Sequence, residues 1–269
     1  MVYDVVVIIV SYKMRGLVRT CLRSLSRTLT GSALKVKIVV VDNASNDGVE
    51  EAVAREYPDV AVVVNARNLG FAGAVNRGLK YAPARFYLVL NPDIYFPETG
   101  LVDEMVRWLE THPKVGMLGP RLRYPDQTIQ PSCYRYPNFL VPLYHRTFLR
   151  RLPQARKALA NYLMEDFNHA ETRQVDGVFG AAMMVRAEAL KEVGGMDDKN
   201  FFMFFEDIDW CRRLTQHGWP VMYVPEITLV HYHGRPSRGG WLAIFTNPVM
   251  RMHIKSWLKY FWKWRKTSL

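Results

Sequence analysis

Six consecutive β-branched residues, VVVIIV at 5 to 10, are echoed by VKIVVV (36 to 41), VAVVV (60 to 64), FYLVL (86 to 90) and VGML (115 to 118). A strand with one solvated face alternates apolar and polar side chains. These runs do not alternate, so both of their faces must be covered. Between the first two, Leu17, Cys21, Leu22, Leu25 and Leu29 recur at helical spacing. The expected fold is therefore α/β, a mostly parallel central sheet flanked by helices. Ligands of such open sheets bind beyond the carboxyl ends of the strands. Ser11 and Tyr12 follow the first run, Asp42 ends the second, and Asn91 and Asp93 follow the fourth. Polar groups at three separate strand ends are more than packing alone requires.

The rhythm breaks after Pro120. Residues 119 to 170 hold six of the fifteen prolines and many Tyr and Arg, and read as an irregular, partly helical excursion. Regular structure is expected again in VDGVFGAAMMV (175 to 185), a helix near 187 to 193, a helix opening in FFMFFEDIDW (201 to 210), and strands VMYV and ITLV between 221 and 230. Without a Gly/Ser linker or a repeat, residues 1 to 240 read as one domain. Its halves are 1 to 118 and 119 to 240, followed by a basic aromatic tail, 241 to 269.

The net charge of +11 over 269 residues is concentrated. Residues 135 to 160 and 251 to 269 each hold six Lys or Arg and no acid, so the rest of the chain is nearly neutral. Two basic patches on a neutral body point to an anionic surface or polymer met at two places. Three cysteines without a C-x-x-C pair suit a reducing compartment and argue against a disulfide scaffold or zinc ribbon. The opening MVYDVVVIIV has an acid and too short an apolar run for a signal peptide. No run reaches the roughly 18 apolar residues of a membrane span.

Five stretches carry candidate chemistry. VVVDNASNDG ends a strand in Asp42 and then turns, either as a plain strand-to-helix loop or as an acceptor for a ribose or base. NARNLGFAGAVNRG sets Gly70, Gly73 and Gly78 about a helix start with Asn68 and Asn76 nearby, which suits close packing or ligand approach. Asn91-Pro92-Asp93 aims one carboxylate outward, where a hard cation takes one or two carboxylates plus phosphate oxygens; a simple Asx-Pro turn is the alternative. In FFMFFEDIDW a helix cap accounts for one acid, and Asp209 has Arg213 at i, i+4. Three acids behind an aromatic run leave room for a general base of raised pKa. VHYHG sets His231 and His233 on one side of a strand, as metal or phosphate ligands or as satisfied structural residues.

In this order, SYK, VVDNASNDG, NLGFAGAVNRG, LNPD, GAAMMVR, FFMFFEDIDWCRR and VHYHG resemble family 2 glycosyltransferases of the GT-A fold, and most of all the bacterial rhamnosyltransferase branch, over residues 5 to 234. The resemblance implies that Ser11, Tyr12 and Asp42 hold the base and ribose of a nucleotide sugar, with Arg67, Asn68, Gly70, Asn76, Asn91 and Asp93 completing the donor site. It implies Mg²⁺ or Mn²⁺ on Asp93 and His231, with Asn91 in place of the first acid of D-x-D, and Lys13 where an Asn is common. It makes Asp207 the catalytic base, and Glu206, Asp209, Phe205, Gly180 and Ala181 acceptor-site candidates. The activity implied is inverting transfer of L-rhamnose from dTDP-rhamnose to a lipid-linked glycan in bacterial cell-surface polysaccharide synthesis. Another UDP-, GDP- or dTDP-sugar is the alternative.

RMHIKSWLKYFWKWRK interleaves basic and aromatic residues as an interfacial helix does. The protein is thus expected to be cytoplasmic and peripheral on the inner face of the plasma membrane, with oligomers possible; a solvated tail or an oligomer contact is the other use of such a segment. A sugar nucleotidyltransferase would show G-x-G-x-R after the first strand, where this chain has SYKMRG. Nucleic acid is not an expected partner, because Asp42, Asp93 and the FFEDIDW acids repel phosphate.

Overall fold

The structure, a computed structural model, describes residues 2–146, 148–232 and 247–266. The first half alternates as its apolar runs require: β1 (Tyr3–Ser11), α1 (Arg15–Thr28), β2 (Val36–Asp42), α2 (Val49–Glu56), β3 (Ala61–Val64), α3 (Gly70–Leu79), β4 (Ala84–Leu90), β5 (Ile94–Tyr95), α4 (Leu101–Thr111) and β6 (Met117–Arg123). In β1, Val5, Val7 and Ile9 pack beneath Val18, Cys21, Leu22 and Leu25 of α1. Val6, Ile8 and Val10 face the opposite core with Ala72, Ala74 and Val75 of α3. The period-2 alternation thus splits one apolar run between two cores. Gly78 lets α3 lie on the sheet, since a Cβ there would sit 2.4 Å from an Ile8 methyl.

The second half holds β7 (Ile129–Gln130), β8 (Cys133–Tyr134), α5 (Val141–Arg146), a 3₁₀ turn (Phe148–Arg151), α6 (Pro153–Tyr162), β9 (Arg173–Gln174), β10 (Gly177–Val178), β11 (Ala182–Arg186), α7 (Ala187–Val193), α8 (Glu206–Gln216), β12 (Val221–His231) and α9 (Pro248–Trp264). The main sheet runs β3-β2-β1-β4-β11-β6-β12-β5, with β7 on β6 and β9 on β12. β1, β2, β3 and β4 are mutually parallel, as are β6 and β12. β11 lies antiparallel between β4 and β6 and joins the two halves into one sheet.

Three local expectations are refined. The run at 175 to 185 breaks into β10 and β11 around Phe179–Ala181. The runs at 221 to 230 form one strand whose register shifts between Val224 and Thr228, across Pro225, which has no N–H for the ladder. The basic aromatic segment forms α9, and this helix is packed on the body: Met250, Ser256, Tyr260 and Trp264 are buried, and Tyr260 and Trp264 share a small core with Phe201 and Ile208. The boundary drawn at 240 and 241 lies outside the described residues, as does His233.

Candidate active site

The carboxyl ends of β1 and β2 lie side by side, with Ser11 opposite Asp42 in the parallel register. Ser11 is fully buried and its hydroxyl meets no protein partner. The Asp42 carboxylate accepts the Ser45 backbone N–H at 3.1 Å and the Ser45 hydroxyl. That hydroxyl oxygen in turn accepts the Lys13 N–H at 2.8 Å, holding Lys13 in the left-handed region. Tyr12 stands exposed at the rim, with the Lys13 ammonium 5.5 Å from its ring centre. Asn43, which the sequence did not single out, is buried and donates to the Gly70 carbonyl at 2.9 Å, tying the β2 end to the start of α3. The side-chain oxygen of Asn68 accepts the Gly70 N–H at 2.8 Å, and Arg67 is exposed beside it.

Gly70 makes a longer connection. Its φ is +76°, and a Cβ there would lie 2.1 Å from the Phe202 carbonyl oxygen, which accepts the Phe71 N–H at 2.8 Å. Only glycine combines that conformation with so close an approach. The start of α3 is thereby docked on the stretch that carries the acids. Asn76 belongs to the same joint and not to an open donor cleft. Its amide donates to the Met196 carbonyl at 2.8 Å and its oxygen accepts the Met196 N–H at 2.9 Å, so both ends are occupied.

The three acids at the start of α8 do three different things. Phe204 and Phe205 immediately before them have φ of 72° and 68°, a left-handed pair that costs roughly 1 to 3 kcal/mol per residue and persists where surrounding contacts enforce it. Asp207 follows. One of its carboxylate oxygens accepts the Gly180 N–H at 3.0 Å and the other accepts the Ile208 N–H at 2.8 Å. Burial raises its pKa above the ordinary carboxylate value, against the pull of those two N–H groups. A Cβ on Gly180 would lie 3.2 Å from the Asp207 carboxylate. Glu206 is buried with one oxygen lacking a hydrogen-bond partner, and burial, then the Asp207 charge, push its pKa well up.

Asp209 is turned the other way. It is fully buried and accepts from Arg213 Nε at 3.0 Å, Lys263 Nζ at 2.7 Å and Trp264 Nε1 at 2.9 Å. It therefore fastens α8 to α9 and presents no oxygen to an acceptor. Around the preceding turn, Ser256 donates to the Met203 carbonyl at 2.8 Å and Lys259 to the Asn200 carbonyl at 2.9 Å. The Phe205 ring lies 5.4 Å from that of Tyr260. Sequence spacing disclosed the Arg213 partner, four residues away, and could not disclose Lys263 or Trp264.

At the β4 end the Asn91 N–H donates to the Ala181 carbonyl at 2.8 Å. Gly180 and Ala181 therefore link Asp207 on one side to the Asn91–Asp93 turn on the other. Asp93 Oδ1 lies 3.2 Å from His231 Nε2, and His231 Nδ1 lies 2.9 Å from the Gln130 oxygen. With Nδ1 donating to Gln130, the Nε2 lone pair and the Asp93 oxygen face each other, a pair of the kind that ligates a metal ion. Ligands of one Mg²⁺-sized cation at about 2.1 Å lie roughly 3 Å apart when adjacent, so the pair fits such an ion. No cluster of three or more His, Cys, Asp or Glu occurs among the described residues, so an ion held by this pair would take its other ligands from phosphate oxygens and water. A row of rings, Tyr162 stacked on Tyr134, Tyr134 edge-on to Phe179 and Phe179 edge-on to His231, lines this side. Burial raises the Tyr134 and Tyr162 hydroxyl pKa values, and the Asp207 charge adds to the effect.

Residues 6–194 match the model of the family described as Glycosyl transferase family 2. The matched span takes in the strand ends and Gly180 and stops before α8. Over 208 residues the chain is 30% identical to the N-acetylglucosaminyl-diphospho-decaprenol L-rhamnosyltransferase of Mycobacterium tuberculosis, covering 73% of this chain and 66% of that protein. It is 27% identical over 191 residues to rhamnosyltransferase WbbL of Escherichia coli K12, covering 67% and 64%. The chain thus spans about two thirds of the length of these relatives. Among solved structures, the mannosyltransferase PcManGT from Pyrobaculum calidifontis, in complex with GDP-Man and Mn²⁺, superposes with a TM-score of 0.59 at 17% identity, over 100% of this chain and 77% of that one. GalNAc-T7 with UDP, GalNAc and Mn²⁺ superposes with a TM-score of 0.63 at 15% identity, over 86% and 43%. At such identities the likeness speaks for the fold, which is that of the GT-A glycosyltransferases. The chain is a member of glycosyl transferase family 2, on the branch that holds these rhamnosyltransferases.

Proposed function

We propose that this chain transfers L-rhamnose from dTDP-rhamnose to a lipid-linked glycan acceptor, with inversion at the anomeric carbon, at the cytoplasmic leaflet of a bacterial plasma membrane. The observation that carries the reading is the span from Asp207 through Gly180 and Ala181 to Asn91. It sets a half-buried carboxylate of raised pKa across from the strand end where a diphosphate would lie. The names of the two rhamnosyltransferase relatives, one of which acts on a diphospho-decaprenol, support the choice of sugar and acceptor.

Ser11, Tyr12 and Asp42 hold the nucleoside, Asp42 being kept in place by Ser45. Asp93 and His231 would hold Mg²⁺ or Mn²⁺, which when bound supplies positive charge to offset that of the departing diphosphate. Asp207 takes the proton of the acceptor hydroxyl as its oxygen bonds to the anomeric carbon, while the carbon–oxygen bond to the diphosphate breaks and its electron pair leaves with the phosphate. Base action of this kind is worth about 10² to 10⁴ in rate. The phenylalanines before Asp207 keep water from competing.

Asp207→Asn is expected to lower transfer by about 10² to 10⁴ and to leave the thermal shift given by nucleotide sugars unchanged. Normal turnover by that variant removes Asp207 from the base role. Thermal shifts with dTDP-rhamnose, UDP-sugars and GDP-sugars, with and without Mn²⁺, test the donor. A larger shift with another sugar nucleotide replaces rhamnose, and no shift with any of them sinks the reading.

A further inference from the structure

The two basic segments that look separate in the sequence meet in the fold. The Phe139 ring, just before α5, lies 4.8 Å from that of Trp257 and 5.3 Å from that of Phe261 in α9, and Trp257 Nε1 donates to the Phe139 carbonyl at 3.1 Å. Residues 127 to 164 contain no acid, and neither do residues 227 to 269. Apolar side chains are exposed on both sides of this junction: Phe139 at 47% and Leu140 at 43% on one side, Leu258 at 50% and Trp262 at 68% on the other. On α9, Leu258 and Trp262 are one turn apart and share the outward face with Arg251, Lys255, Lys259 and Arg265, all exposed. The inward face is taken up by Tyr260 and Trp264, so the helix does not need this outer face for its own docking.

We propose that the outer face of α9 together with the 139–143 segment is a single docking surface for an anionic lipid bilayer. Soluble surfaces rarely gather exposed Trp, Phe and Leu in one place. Basic side chains flanking an apolar stripe match anionic headgroups over acyl chains, and neither segment contributes an acid of its own to repel those headgroups. No described helix is long and apolar enough to cross a membrane, so the contact is with the surface. Lys259 and Lys263 of the same helix reach the stretch around Asp207 and Asp209, which puts the bilayer beside the candidate acceptor site.

The test is co-sedimentation of the full chain at low salt with vesicles of phosphatidylcholine alone, or of phosphatidylcholine with about one third phosphatidylglycerol. Binding is expected to the anionic vesicles only, and to fall as salt is raised. Leu258→Glu with Trp262→Glu, and separately Arg251→Glu with Lys255→Glu, are each expected to lower partitioning about tenfold or more, with unchanged circular dichroism. The proposal is overturned if the wild-type chain ignores anionic vesicles, binds both kinds equally, or loses nothing in either variant. It is also overturned if the chain is a dimer that Trp262→Glu separates, since the face would then cover a second copy. Transfer to a water-soluble acceptor analogue stays intact in Trp262→Glu, so failure here is distinguishable from failure of the sugar-transfer reading.

Discussion

The proposed donor side and the proposed acceptor side of this molecule are held in different ways. On the proposed donor side, Asp42 sits at the end of a parallel strand and is held by Ser45 in the same turn, and the Gly70 N–H is held by Asn68 two residues away. On the proposed acceptor side, the turn before α8 and the first turn of α8 are held from positions far along the chain, by Phe71, Gly180, Ser256, Lys263 and Trp264. A strand end is positioned by its sheet and needs little else. A strained turn stays where it is only while its distant partners remain.

The comparison predicts that the acceptor side breaks under substitutions that the donor side does not feel. Asp209→Ala has the largest expected effect on stability. It leaves Arg213 without its carboxylate and Lys263 with Asp197 alone, and empties a fully buried hydrogen-bond acceptor site, which costs about 3 to 5 kcal/mol. Urea unfolding should show that loss; a change below about 1 kcal/mol would mean that α9 is held by its other contacts without Asp209. Gly180→Ala comes next. A methyl group 3.2 Å from the Asp207 carboxylate must displace it by a few tenths of an ångström, and a 1 Å misplacement costs about 10²-fold. A roughly tenfold fall in kcat with an unchanged thermal shift from the nucleotide is expected, and equal losses in both would erase the distinction between the two sides.

The smallest effect concerns pH. Burial raises the Glu206 and Asp207 pKa values in the folded protein, so the folded state binds these protons more readily than the unfolded chain does. Stability from this source is fully present below the ordinary carboxylate pKa of about 4 and declines as pH rises through the raised values. Glu206→Gln removes its share, so the slope of unfolding free energy against pH should flatten in urea melts above that value. A slope unchanged from wild type would mean that Glu206 is not the buried acid responsible.

The same contrast explains what could be read from the sequence. The parallel strands and their polar ends were legible because apolar runs and turn residues are local signals. The i, i+4 partner of Asp209 was legible for the same reason. Lys263 and Trp264 were not, being more than fifty residues away, and a basic aromatic segment looks alike whether one face is docked or both are free. Asn76 misled because an amide near glycines suits a ligand as well as the Met196 backbone that occupies it. The antiparallel insertion of β11 left no trace, since a strand covered on both faces carries the same residues in either direction.

Phe204 and Phe205, side by side in the left-handed region, carry one more consequence. A segment held uphill of its relaxed shape is the first to let go when its restraints loosen. Warming should therefore free this turn, and swing the Asp207 carboxylate off the Gly180 amide, while the sheet beneath is still intact. The protein would then lose the proposed chemistry as a local event, cooler than its melting point, and regain it on cooling once the turn closes again.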